Sequence, residues 1–295
     1  LATLLLIWGA FFFFKPSHVP QDFVQVPVRF FPFIDRPLVK IEIENRSYSL
    51  LIDLGSSHPI DLCKKSMQKI KGKNALDISN YIGIRGKKYP TQSYNLPRVR
   101  LLNLSIDGLI GFEENVDFLN DARIGQSRLK DELELLMIDG RIGWTFFKKG
   151  VGFFDFSHSN LVIAKNLSVL VNEAGYSLNH FIKIPFELRN CGPVFAVQTS
   201  MGPQKFLLDT GSTCSIIRDS SFPTEMKKSE SSYLTEKLRI GENDFGEWTF
   251  QLLEYNDQME CDGILGIDFF KKHTICLDFL TNMAYLNLLK ASNFN

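Results

Sequence analysis

Ile52-Asp53-Leu54-Gly55-Ser56 and, 156 residues further on, Leu208-Asp209-Thr210-Gly211-Ser212 are two versions of one turn. Each follows a continuous apolar run, Leu50-Leu51-Ile52 or Phe206-Leu207-Leu208, of the kind that fills a buried strand. The glycine two residues after each aspartate lets the backbone reverse sharply, so each carboxylate is delivered at the rim of a packed strand. At the same offset the two segments align without a gap from Val26/Ile182 through Pro37/Pro193 to Ile60/Ile216. A second match follows at an offset of 123, where Asp139-Gly140-Arg141-Ile142-Gly143-Trp144-Thr145-Phe146-Phe147-Lys148-Lys149 faces Asp262-Gly263-Ile264-Leu265-Gly266-Ile267-Asp268-Phe269-Phe270-Lys271-Lys272. One Asp/Gly turn ending a strand carries no functional message. Two at equivalent positions of diverged copies do, because a period above one hundred residues is too long for a solenoid and fits a duplicated lobe. Two halves with one carboxylate each are a plan for a site built between them.

The surrounding pattern is one of strands. Val24 to Phe30 and Leu38 to Ile43 alternate apolar and polar, as do Phe181 to Phe186 and Val194 to Val197, and are read as antiparallel hairpins leading into the acid-bearing strands. Arg98 to Ile106 and Trp248 to Leu253 are further strands. The Gly-X-X-Gly blocks read as strands passing close to another backbone, followed by a helical turn burying two phenylalanines, with Lys148-Lys149 and Lys271-Lys272 as its solvated end. Ser127 to Leu136 reads as helical, within the insertion that lengthens the first half. Tyr81 to Tyr89 has the apolar flanks and glycines of a hairpin tip, with Gly83, Ile84, Arg85 and Gly86 able to cover a cleft, and a shorter equivalent is placed around Leu238-Arg239-Ile240-Gly241. The domain reading is 1–20 signal peptide or N-terminal membrane anchor, 21–165 first lobe, 166–180 linker, and 181–295 second lobe.

Composition narrows the function. Lys plus Arg and Asp plus Glu both total 33, giving zero formal charge, and no basic stripe interleaves the aromatics, so nucleic acid is not an expected partner. Leu1 to Phe14 is an uncharged apolar run closed by Lys15-Pro16. It is short for a membrane span and right for a signal-peptide core, so the chain is expected to be exported: periplasmic, secreted or membrane-anchored. Five cysteines leave at least one unpaired, and none has zinc-site spacing. His58, five residues after Asp53, has Cys214 as its counterpart and is read as a turn residue.

On these residues the chain resembles the aspartic peptidase clan. Asp209-Thr210-Gly211-Ser212 after an apolar strand, with Gly263-Ile264-Leu265-Gly266-Ile267-Asp268-Phe269-Phe270 downstream, looks like a retropepsin-type lobe, and two such lobes look like the bilobal pepsin arrangement. The resemblance implies a mostly-β fold of two β-barrel lobes with an active-site cleft between them and a flap from the first. It implies an aspartic endopeptidase in which Asp53 and Asp209 activate a water, Gly55, Ser56, Thr210, Gly211 and Ser212 form the active-site turns, and Gly83 to Gly86 form the flap. No metal or other cofactor is implied. The substrate is an extended polypeptide, and one chain carries both halves of the site, so a monomer suffices. Ser56 and Ser212 are each placed to return a hydrogen bond to the neighbouring carboxylate. Two positions depart from the pattern. Leu54 stands where the family has a threonine whose hydroxyl reaches the other lobe, and Arg141 where an apolar residue is usual. They motivate the alternative, a catalytically weak or inactive aspartic-protease-like protein that binds peptide or serves an envelope structure.

Overall fold

The computed structural model describes residues 22–30, 35–83, 86–114, 138–221, 232–255 and 259–288. The expected signal segment and the Ser127 to Leu136 helix lie outside them. Among the described residues no helix is long and apolar enough to cross a membrane.

Each half builds a curled sheet, and the strand order is the same in both. In the first it runs Lys88–Asn95, Ile110–Glu114, Ile60–Cys63, Gly140–Gly143, Arg46–Asp53, Pro37–Ile43, with the hairpin Val99–Leu101/Leu104–Ile106 at the far edge. In the second it runs Ser232–Thr235, Trp248–Leu253, Ile216–Arg218, Gly263–Leu265, Gly202–Leu208, Gly192–Thr199, with Arg239–Ile240/Asn243–Asp244 at the far edge. The long edge strand Asn74–Ile82 of the first half has no counterpart among the described residues. This corrects the placing of the flap's equivalent at Leu238 to Gly241: that segment matches the hairpin Val99–Leu101/Leu104–Ile106, since both pair with the second strand of the repeat.

A third, six-stranded sheet joins the halves, in the order Phe23–Pro27, Asn160–Ala164, Val151–Asp155, Ile275–Asp278, Met283–Asn287, Phe181–Pro185. Val151 pairs with Asp278 and Phe154 with Ile275 across the join. The expected hairpins from Val24 and Phe181 are therefore split. Phe23–Pro27 and Phe181–Pro185 belong to this sheet, and only Arg29–Phe30 and Glu187–Arg189 turn back onto Pro37–Leu38 and Gly192–Val194. Period-2 alternation reports which face of a strand is buried and is silent about its partner. Phenylalanines seal the join: Phe154 and Phe156 each lie with ring centroids 5.9 Å from Phe270, and Phe147 lies 6.3 Å from Phe279. Burying each such ring contributes roughly 1.5–3 kcal/mol. The 166–180 segment folds back on the same sheet. Asn166 caps the helix Leu167–Asn172 by accepting from the Val169 N–H at 2.9 Å, and Val169 and Leu170 join the cluster of Val151, Phe153, Val162 and Cys276.

The chain is thus mostly β and bilobal. In both halves the aspartate strand runs parallel to the Gly-X-X-Gly strand, with Asp53 beside Gly143 and Leu208 beside Leu265. The glycines explain the motif. A side chain at Gly140, Gly143 or Gly266 would run into the backbone of Asp61, His58 or Cys214, and one at Gly263 into the Phe206 ring. The helical turns that follow bury Phe147, Phe269 and Phe270, while Phe146 is only half-buried. Lys148, Lys149 and Lys272 are exposed, and Lys271 is half-buried in an ion pair with Asp35.

Candidate active site

The two acid turns meet at the lobe junction. The Gly55 N–H lies 3.1 Å from Asp53 Oδ1 and 3.2 Å from Asp209 Oδ1, so one donor serves both carboxylates. The Gly211 N–H donates to Asp209 Oδ1 at 2.7 Å. A Cβ on Gly55 would sit 2.6 Å from the Asp209 carboxylate, and one on Gly211 would collide with that of Asp53. Each glycine thus gives way to the acid of the other half. Matching backbone bonds fix both turns, from Trp144 N–H to the Ser56 carbonyl and from Ile267 N–H to the Ser212 carbonyl, each 2.9 Å.

Thr210 crosses the junction. Its hydroxyl donates to the Ile52 carbonyl at 2.8 Å and accepts from the Leu54 N–H at 3.1 Å. Leu54 makes no reciprocal polar bond and is fully buried in the main apolar core. The two serines do not serve the acids. Ser56 donates to Asp61 Oδ2 at 3.0 Å and Ser212 to the Cys214 carbonyl at 2.7 Å, which corrects the sequence expectation. Both hydroxyls bond to residues further along the chain, past the turn.

Arg141 takes the place beside Asp53. Its strand pairs with Ile60–Cys63 so that Arg141 stands opposite Asp61, and its guanidinium reaches Asp53 Oδ2 at 3.1 Å, Glu114 Oε1 at 2.9 Å and Asp61 Oδ2 at 3.5 Å. All four side chains are nearly buried. Burial works against the Arg141 charge, but the three carboxylates outweigh it and its pKa stands well above the usual value. Burial likewise works against ionised Asp61, yet Arg141 and His58 bring its pKa below the usual range. Asp209 goes the other way: burial, and next the charge of Asp53, push it up to about 7.

The hairpin Asn74–Ile82/Lys88–Asn95 leans over the Asp53 side. Along its first strand every side chain is exposed except Tyr81, whose ring lies 5.1 Å from that of His58 and 5.9 Å from the Arg141 guanidinium. Burial raises the Tyr81 pKa. His58 is more than a turn residue: it stacks on Phe112 at 3.7 Å and its Nδ1 is 2.6 Å from Asp61 Oδ1. At the tip, Gly83 N–H donates to the Lys87 carbonyl and Gly86 N–H to the Gly83 carbonyl, while Ile84 and Arg85 lie outside the described residues. Tyr81 has no role in the sequence reading; its signal is a lone aromatic two residues before the tip glycine. No three His, Cys, Asp or Glu side chains among the described residues cluster as metal ligands. All five cysteines are free thiols.

No protein-family model matches the chain, and no curated protein matches it in sequence. Among solved structures it is similar to basic 7S globulin from soybean, with a TM-score of 0.58 and 8% identity, over 94% of this chain and 100% of that one. At that identity the likeness is one of fold: the chain has the bilobal, pepsin-like arrangement.

Proposed function

We propose that the chain is an aspartic endopeptidase whose working groups are Asp53 and Asp209. One observation carries the reading: carboxylates from two halves of the chain share the Gly55 N–H, and each is accommodated by the glycine of the opposite turn. Two acids this close cannot both ionise cheaply, so they hold one proton between them, as established for aspartic peptidases. The ionised member takes a proton from a water held between them, the protonated member polarises the scissile carbonyl, and a proton then passes to the leaving amine. An extended polypeptide lies along the junction under the first-lobe hairpin, and residues 1–14 support export. Incubation with an unfolded protein from pH 3 to 8 tests this. Cleavage that a statine-type hydroxyl inhibitor blocks supports it, and intact substrate throughout refutes it.

A second reading is a peptide-binding or structural relative with little or no turnover. The Arg141 contact on Asp53 Oδ2 is what favours it, since a cation there competes with substrate for the acid. Peptide affinity without cleavage would establish that reading.

A further inference from the structure

Arg141 contacts one of the two acids and has no like in the other half. Its repeat counterpart, Ile264, is apolar and buried in the second lobe. Ser56, the neutral side-chain donor nearest in sequence to Asp53, is turned to Asp61. Asp53 is therefore met by the Arg141 guanidinium and the Gly55 N–H as donors and by the Asp209 carboxylate, while Asp61, Glu114, His58 and Tyr81 gather about Arg141 and Asp61. Around Asp209 the donors are the N–H groups of Gly55 and Gly211, and Arg36 exerts a weaker field. A guanidinium only donates and stays charged throughout the working pH range, so its contact favours one protonation state of the acid it touches.

We propose that Arg141 is a positioning residue that gives the two carboxylates fixed and different roles, Asp53 the standing anion that takes the proton of water and Asp209 the standing acid. The elevated Asp209 pKa agrees with this division. The inference rests on the endopeptidase reading. It turns the departure from the family pattern into a device: the one proton that the pair holds is assigned to Asp209.

The test is side-chain 13C NMR titration of aspartate-labelled protein, with the two signals assigned through Asp53→Asn and Asp209→Asn. Arg141→Ile alone would strand buried carboxylates, so the main variant is the triple Arg141→Ile/Asp61→Asn/Glu114→Gln, which removes the cation with its other anions. Arg141→Lys keeps the charge. The reference is the double Asp61→Asn/Glu114→Gln, which keeps Arg141. In the reference the two signals should stay distinct, with the shared proton on Asp209, and in the triple variant they should converge, each carboxylate carrying part of that proton. Arg141→Lys should keep them distinct. A folded triple variant whose two signals stay as distinct as in the reference would overturn the proposal and leave Arg141 a structural ion pair. The NMR result stands whether or not the protein cleaves peptides, so absence of cleavage by the unmodified chain refutes the endopeptidase reading separately.

Discussion

Gly55 and Gly211 set how closely the carboxylates approach, because each faces the acid of the other half with no room for a methyl group. Gly211→Ala should therefore lose turnover by about a hundredfold or more, since displacing a reacting group by an ångström costs that much. Unchanged kcat/KM in a folded variant would show that the spacing is not required. Thr210→Val is isosteric but leaves the buried Ile52 carbonyl and Leu54 N–H without their cross-junction partner. It should cost about 1–3 kcal/mol in urea unfolding, and an unaltered midpoint would mean the lobes hold together without it. At this scale the sequence is partly legible. The glycines announce a reversal at each acid, but their facing of the opposite acid depends on the docking of two distant segments. The direction of the Ser56 and Ser212 hydroxyls is not legible because a turn offers a serine several acceptors, and Asp61 gains weight only once the strand Ile60–Cys63 is paired.

Among the elements, the hairpin Asn74–Ile82/Lys88–Asn95 is the asymmetric one. Its outer strand is exposed along almost its whole length and so contributes little to the core, as expected of an element whose role is to shield substrate from water. Removal of residues 83–86 should lower kcat/KM by roughly tenfold or more while the melting temperature changes little. Equal losses in both would make the hairpin a structural element. Tyr81, beside His58 and Arg141, is where its described outer strand meets the site. The repeat makes the acid-bearing strands and their glycine-rich neighbours legible from residue order alone, since alternation and glycine spacing are local. The partners of Phe23–Pro27 and Phe181–Pro185 are not legible in that way, because strands from opposite halves meet only in the assembled molecule.

The assembled molecule concentrates ionisable groups at the junction, and its stability should report them. Burial and the charge of Asp53 push the folded Asp209 acid up to about 7 from its ordinary 3.8, so the folded state binds the extra proton between those values. Stability should fall as pH rises from about 4 to about 7, and Asp209→Asn should flatten that slope. Asp61, with its pKa lowered, acts in the opposite sense and in another window: its contribution is lost as pH falls below about 4. An equal slope between pH 4 and 7 in Asp209→Asn would show that Asp209 is not the elevated acid. The bilobal plan is legible because a duplication writes it twice, whereas the four-membered cluster of Arg141, Asp53, Asp61 and Glu114 is not, since its members come from four strands. The most direct test of the central claim is the rate of peptide hydrolysis by Asp53→Asn, Asp209→Asn and the double variant, each verified as folded by circular dichroism. A pair acting as one unit predicts that either single change abolishes turnover almost as fully as both. Substantial hydrolysis by either single variant would contradict it.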